Sequence, residues 1–324
     1  MAASGDAQPG GGLARGQTLL LAAAIVLPGI APAFFGWLGG LLAIPVFCLL
    51  SLYGTGRGSV MVRNAVLLAA VVALLLKLAT TLLFALTIIP LGYSLHRSMA
   101  AGDKEWKTVF QGCLFLGASW LLFWAVYGLV EGVNPYTRLL ELIDTSFVQT
   151  YDYYRTKAGL PADALLYMEQ AVSETRKLTP HLLPGLLCGI ILVTVLINLL
   201  GGIRLLDRLR PGCTPWKKFS QWRLPDWLVW LVIAGGVLLL MGSGKTGIVA
   251  ISLLLVSGLL YFFQGLAVAI HLLDRWAVPL ALRLIFYVFL IVQSYGMLLL
   301  ALLGLADVWI DFRRQENTNT QLGN

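Results

Sequence analysis

The residue string with the most chemical promise is Gly242-Ser243-Gly244-Lys245-Thr246. It ends like a phosphate-binding loop, in which backbone amides of a glycine-rich turn cradle phosphate and the lysine reaches it. The first glycine of that motif would fall at position 239, which holds leucine. The string also joins two long apolar runs, so the strand and soluble helix that scaffold such an amide nest have no place here. A hairpin turn with one interfacial lysine accounts for it. The three histidines have no carboxylates at metal-ligand spacing, and Cys48, Cys113, Cys188 and Cys213 stand far apart, which argues against a metal centre or redox couple. No acid, base and nucleophile converge, so the reading is non-enzymatic, with no cofactor.

Ionisable and amide groups inside apolar runs are more informative, because a charge at mid-bilayer costs roughly 2.5–3.5 kcal/mol on insertion scales. Lys77 interrupts one run and is read as snorkelling from a turn between helices. His271, Asp274, Arg275 and Arg283 gather around one inter-helix loop, where Asp274 can pair with either arginine. Gln264, Gln293 and Asn198 lie within apolar runs and form the candidate polar intramembrane site. Each amide needs a partner in hydrocarbon, so the two glutamines either bond one another across helices or contact a polar solute.

The elements that position these groups follow from composition. Of 324 residues, 58% are hydrophobic and 12% charged, too apolar for a soluble core to absorb. Apolar runs of about 20 residues recur, each sufficient to cross roughly 30 Å of hydrocarbon as a helix. Lipid satisfies no backbone polar group, so such runs must be helical. The fold class is therefore all-α, a polytopic transmembrane helix bundle with an amphipathic helical insert. Basic residues exceed acidic ones, 23 to 16, but they sit in short loops as topology signals, which excludes nucleic acid and leaves the lipid bilayer as the certain partner.

Residues 1–16 read as a disordered tail and 17–130 as N-terminal transmembrane helices. Within the latter, Leu19 to Tyr53 divides near Phe35 to Gly40, a polar break covers Gly54 to Asn64, and two short spans follow on either side of Lys77 to Thr81. A connector from His96 to Lys107 leads to a span from Val109 to Val130. Residues 131–180 form an amphipathic extramembrane or interfacial insert, because Tyr136, Leu139, Leu140, Ile143, Phe147, Tyr151 and Tyr154 recur at helical spacing. A second insert helix is expected from Pro161 to Leu178. Residues 181–311 are C-terminal transmembrane helices, with a last span from about Val278 to Ala306, and 312–324 a polar tail. Placing Arg57, Arg97, Arg208 and Arg275 on the cytoplasmic side gives nine crossings, or eight if one N-terminal segment merges with its neighbour or re-enters.

Four strings in order resemble the YybS-like family of uncharacterised bacterial membrane proteins. They are Pro45 with Leu52-Tyr53-Gly54; Trp222-Arg223-Leu224-Pro225-Asp226-Trp227; Gln264-Gly265-Leu266-Ala267; and Gly304-Leu305-Ala306-Asp307-Val308-Trp309-Ile310-Asp311-Phe312-Arg313. The resemblance implies a multi-pass protein of the bacterial inner membrane, with distant fold similarity to the substrate-binding subunits of energy-coupling-factor vitamin transporters and to the rod-shape protein MreD. It brings no functional residues. Physically, Trp222, Trp227, Trp309 and Arg223 read as membrane-interface anchors, and Asp307, Asp311, Arg313 and Arg314 as the final exit from lipid. Two functions stay open: a small-molecule binding or transport subunit served by another membrane protein or ATPase module, and a non-catalytic scaffold for envelope-assembly proteins.

Overall fold

The computed structural model describes residues 11–157, 161–241, 244–310 and 312–313. Among them every regular element is helical. The helices are α1 (Gly11–Ile30), α2 (Pro32–Gly39), α3 (Ala43–Leu75), α4 (Ala79–Leu86), α5 (Ile89–Ala101), α6 (Glu105–Glu131), α7 (Pro135–Lys157), α8 (Ala162–Leu209), α9 (Val229–Met241), α10 (Lys245–Arg275), α11 (Leu280–Val292) and α12 (Ser294–Ile310). Of the expected N-terminal tail, residues 1–10 lie outside the described residues and Gly11 to Gly16 belong to α1. Two compact units emerge, one from residues 1–130 and 191–216, the other from 131–190 and 217–324, so α8 contributes to both.

In the first unit, α3 is one element that reverses. A Cβ placed on Gly58 would meet the Leu49 carbonyl oxygen at 2.9 Å, whereas residues nine apart on a straight helix are separated by roughly 13 Å of rise. The chain turns at Gly54, whose φ of 74° and ψ of 168° lie in a region essentially reserved for glycine. The polar break expected over Gly54 to Asn64 is thus a single-residue reversal, after which the chain is helical again. Replacing Gly54 by alanine should destabilise the protein by about 1–3 kcal/mol. The matched change at Gly56, which has no atom within 4 Å of its would-be Cβ, should be neutral or mildly stabilising in the same thermal unfolding assay.

The two arms of α3 bury Val46, Phe47, Leu50, Ala65, Ala69 and Ala73. Glycines on neighbouring helices accept this core, since a Cβ at Gly92 would meet Val46 at 2.6 Å and one at Gly202 would meet Phe47 at 2.7 Å, while Gly112 of α6 gives the same room to Val195 of α8 at 2.8 Å. Lys77 occupies the turn between α3 and α4 with φ of 58°. At the opposite end of the second arm, the Gly54 turn, the end of α5, the start of α6 and the end of α8 come to one level. The Ser51 hydroxyl lies 3.2 Å from His96 Nδ1, the Ser98 hydroxyl donates to Gln111 at 2.8 Å, and buried Trp216 packs 6.2 Å from the Phe47 ring while its Nε1 donates to the Asp103 carbonyl at 2.9 Å.

In the second unit, Asn134 caps α7 by accepting the Tyr136 amide at 3.0 Å, with Pro135 in the first helical position, a favourable pairing of cap and proline. Antiparallel contacts tie α7 to the early part of α8: Asp144 with Arg176, the Tyr151 hydroxyl to Glu169 at 3.2 Å, and the Tyr136 hydroxyl to the Pro180 carbonyl at 3.2 Å. The expected insert helix from Pro161 and the expected span from His181 are one 48-residue helix with Pro180 and Pro184 inside it. At about 1.5 Å per residue that helix measures roughly 72 Å, over twice the hydrocarbon thickness, so it has length both to cross lipid and to project beyond it.

Among the described residues, five helices are long and apolar enough to cross a membrane, and α11 with α12 makes a sixth candidate, bent by 107° at a break. Two shorter apolar helices, Ala14–Ile30 and Asp226–Met241, accompany them. That count is below the expected eight or nine, because α3 reverses within one element and the shorter helices fall under a full crossing length. The expected continuous span from Val278 to Ala306 is this bent pair. Of the glycine-rich turn, Gly242 and Ser243 lie outside the described residues, and Gly244, with φ of 73°, precedes α10.

Candidate functional site

The second unit holds a polar node built from α10, α12 and the loop before α9. Helices α10 and α12 approach so closely at Gly265 and Gly304 that a Cβ on Gly265 would fall 1.8 Å from the Leu300 carbonyl oxygen, and one on Gly304 2.0 Å from the Tyr261 carbonyl oxygen. Small residues at such a crossing let two backbones meet. Gln264 precedes the first glycine and Asp307 follows the second by one turn, so the crossing brings their side chains together. Gln264 donates through Nε2 to Asp307 Oδ2 at 3.2 Å and accepts the Leu224 amide at 3.1 Å.

Arg313, just beyond α12, closes the circuit. Its guanidinium donates to Asp307 Oδ2 at 3.1 Å, to the Ser220 carbonyl at 3.1 Å and to the Trp222 carbonyl at 2.7 Å. The two side chains of this ion pair are 0% exposed for Asp307 and 6% for Arg313. Asp307 Oδ1 and Arg313 Nε are buried without a partner, and they are the atoms that the second half of a bidentate guanidinium–carboxylate contact would join.

The other expected polar positions lie in different settings. Asn198, fully buried in the first unit, donates through Nδ2 to the Gly40 carbonyl at 2.7 Å and to the Thr194 carbonyl at 2.8 Å, so its amide ties α8 to the turn after α2. Gln293 is exposed at the break between α11 and α12. The Gln264 amide is therefore engaged by Leu224 and Asp307 rather than by Gln293. Asp274 pairs with Arg283, whose Nε also donates to the Val278 carbonyl at 2.7 Å, fastening the turn between α10 and α11. Among the described residues no group of three or more His, Cys, Asp or Glu could hold a metal ion.

Of the interface anchors, Trp227 and Trp309 are exposed, Arg223 is exposed, and Trp222 is half-buried. The Trp222 Nε1 donates to the Lys217 carbonyl at 2.8 Å, and its ring sits 5.5 Å from Phe219. Asp307 and Arg313, read from sequence as part of the final exit from lipid, form the buried centre of the node. The available signal was that Val308-Trp309-Ile310 follow Asp307, placing the carboxylate inside an apolar run. Three strings that carried the family resemblance, around Trp222, Gln264 and Asp307, converge on this one place.

Helical in every regular element of its described residues, with several membrane-length apolar helices and an ion pair buried among them, the chain is built as an integral membrane protein. The chain belongs to the family of predicted membrane proteins DUF2232, whose model matches residues 18–308. No curated protein and no solved structure matches it.

Proposed function

We propose that this protein is a non-enzymatic solute-binding or transport subunit of the bacterial inner membrane, of the YybS-like kind, energised by an ATP-driven partner because the chain offers no phosphate-binding loop. The observation that carries the reading is the closed circuit of Gln264, Asp307 and Arg313. Ionisable groups held inside a membrane bundle mark solute and ion pathways by default, and the bent pair α11 and α12 supplies the broken helix from which membrane solute sites are commonly built.

Eight crossings fit this reading, with the re-entry at the C-terminal pair α11 and α12 rather than in the N-terminal segment expected from sequence. Arg313 bonds to carbonyls of the loop that carries Lys217 and Lys218, which supports a tail on the same basic, cytoplasmic side as that loop and a re-entrant α11–α12 pair. The nine-crossing arrangement would put that tail on the opposite side.

Native mass spectrometry of protein extracted gently from its host membrane tests the function. A stoichiometric small solute or an attached ATPase module is the expected result. A solute-free chain bound to cell-wall or division proteins would instead support the second reading, a non-catalytic scaffold for envelope assembly. The α7–α8 pairing favours that alternative, since it exposes Tyr153, Tyr154 and Tyr167 outside the apolar spans.

A further inference from the structure

We propose that the basic end of the first unit is a docking surface for anionic phospholipid headgroups. Arg97 and Lys104 flank the turn between α5 and α6, Lys107 lies in the first turn of α6, and Arg204, Arg208 and Arg210 line the end of α8; all six are exposed. They stand far apart in sequence, and the contacts of Ser98 with Gln111 and of Trp216 with the Asp103 carbonyl hold their elements at one level. The same end holds three carboxylates, Asp103, Glu105 and Asp207, against six cations; Asp103 pairs with Lys107 at 2.7 Å and Asp207 accepts from the Thr214 hydroxyl at 3.0 Å. The cations outnumber them, so the end carries net positive charge.

Neighbouring apolar side chains decide what the occupant is. Trp106 and Phe110 are exposed beside Lys104 and Lys107, and Leu205 and Leu209 beside Arg204 and Arg208. Charge alone would suit any soluble anion, but cations interleaved with lipid-facing apolar groups suit a molecule that joins an anionic head to acyl chains. Charge-assisted hydrogen bonds from arginine and lysine meet the phosphate oxygens, and the apolar neighbours meet the upper acyl chain. The surface therefore favours anionic over zwitterionic lipid at this end, independently of whether the protein carries a solute.

The full-length protein, reconstituted in nanodiscs of defined phosphatidylglycerol and phosphatidylcholine content, is extracted and its retained lipids are counted by native mass spectrometry. Phosphatidylglycerol should be retained over phosphatidylcholine by about tenfold, and the preference should shrink at high ionic strength. The Arg204→Gln, Arg208→Gln, Arg210→Gln triple variant should bring the ratio close to one, whereas Arg155→Gln, in α7, leaves it unchanged. Excess inorganic phosphate should not displace the lipid; displacement would show a soluble-anion site and overturn the assignment. Equal retention of the two lipids by the unmodified protein, or an unchanged ratio in the triple variant, would also overturn it. Should the glutamine variant fail to fold, the same positions changed to lysine must keep the preference and its salt dependence, and loss of either counts against the proposal.

Discussion

Replacing Asp307 by leucine is expected to destabilise the protein by about 3–5 kcal/mol, since it leaves the Arg313 guanidinium buried without its counter-charge. Arg313→Met should cost a similar amount by stranding the carboxylate. The informative result is the double variant. With both charges gone, the penalty of an uncompensated ion disappears, so Asp307→Leu with Arg313→Met should be more stable than either single variant. Unfolding titrations in mixed micelles measure all three, and additive losses would show that the pair is not coupled as the geometry requires. Gln264→Leu should have a smaller effect, near the roughly 1 kcal/mol typical of a neutral hydrogen bond, because the ion pair survives it.

The second large effect should come from the helix crossing beneath the node. A methyl group at Gly265 or Gly304 would run into backbone carbonyls at 1.8 and 2.0 Å, and a backbone atom cannot rotate away as a side-chain tip can. Either alanine variant must push α10 and α12 apart. Overpacked cores lose typically 1–3 kcal/mol through strain alone, and separating the helices would also break the contact between Gln264 and Asp307, so a total of about 4 kcal/mol is expected. Gly258→Ala, on the same helix where nothing lies within 4 Å of the added Cβ, is the control and should lose nothing. Thermal unfolding in detergent, with retention of the folded monomer on gel filtration, reads both outcomes.

What could be read from the sequence was what repeats along it. Apolar runs identified the helices and their solvent, and the helical spacing of Leu139, Leu140, Ile143 and Phe147 marked α7, where these residues are half-buried. The loss of apolar character after Tyr53 marked the position where α3 turns back. Its sharpness was not visible, because a polar stretch looks the same whether it is a loop or a glycine-hinged reversal followed by helix. The change from amphipathic to apolar character near residue 180 misled in the other direction, since it marks a change of surroundings within one helix; Pro180 and Pro184 lie inside α8, as prolines can in membrane helices when neighbouring groups satisfy the freed backbone.

The node was only half legible. Gln264 stood out because an amide in an apolar run must find a partner, but its partner lies 43 positions away and spacing carries no information about a contact of that range. Asp307 and Arg313 lie close to the chain's polar end, where charges normally meet water, so their burial depends on a loop folding over them. Gln293 carried the same signal as Gln264 and came out exposed at a helix break. Identical residue types in apolar runs are distinguished by tertiary packing, which here means the glycine crossing beside one of them.

The most direct test of the account is whether Gln264 and Asp307 meet in the native membrane. In a chain freed of Cys48, Cys113, Cys188 and Cys213, cysteines placed at positions 264 and 307 should be joined by a short bifunctional thiol reagent in intact membranes, well above the level seen with either cysteine alone. Efficient joining would establish that α10 and α12 cross at Gly265 and Gly304, the crossing that brings Gln264 and Asp307 together in the unmodified chain. Joining no better than the single-cysteine controls, in a chain that is still folded, would contradict the crossing and with it the candidate site.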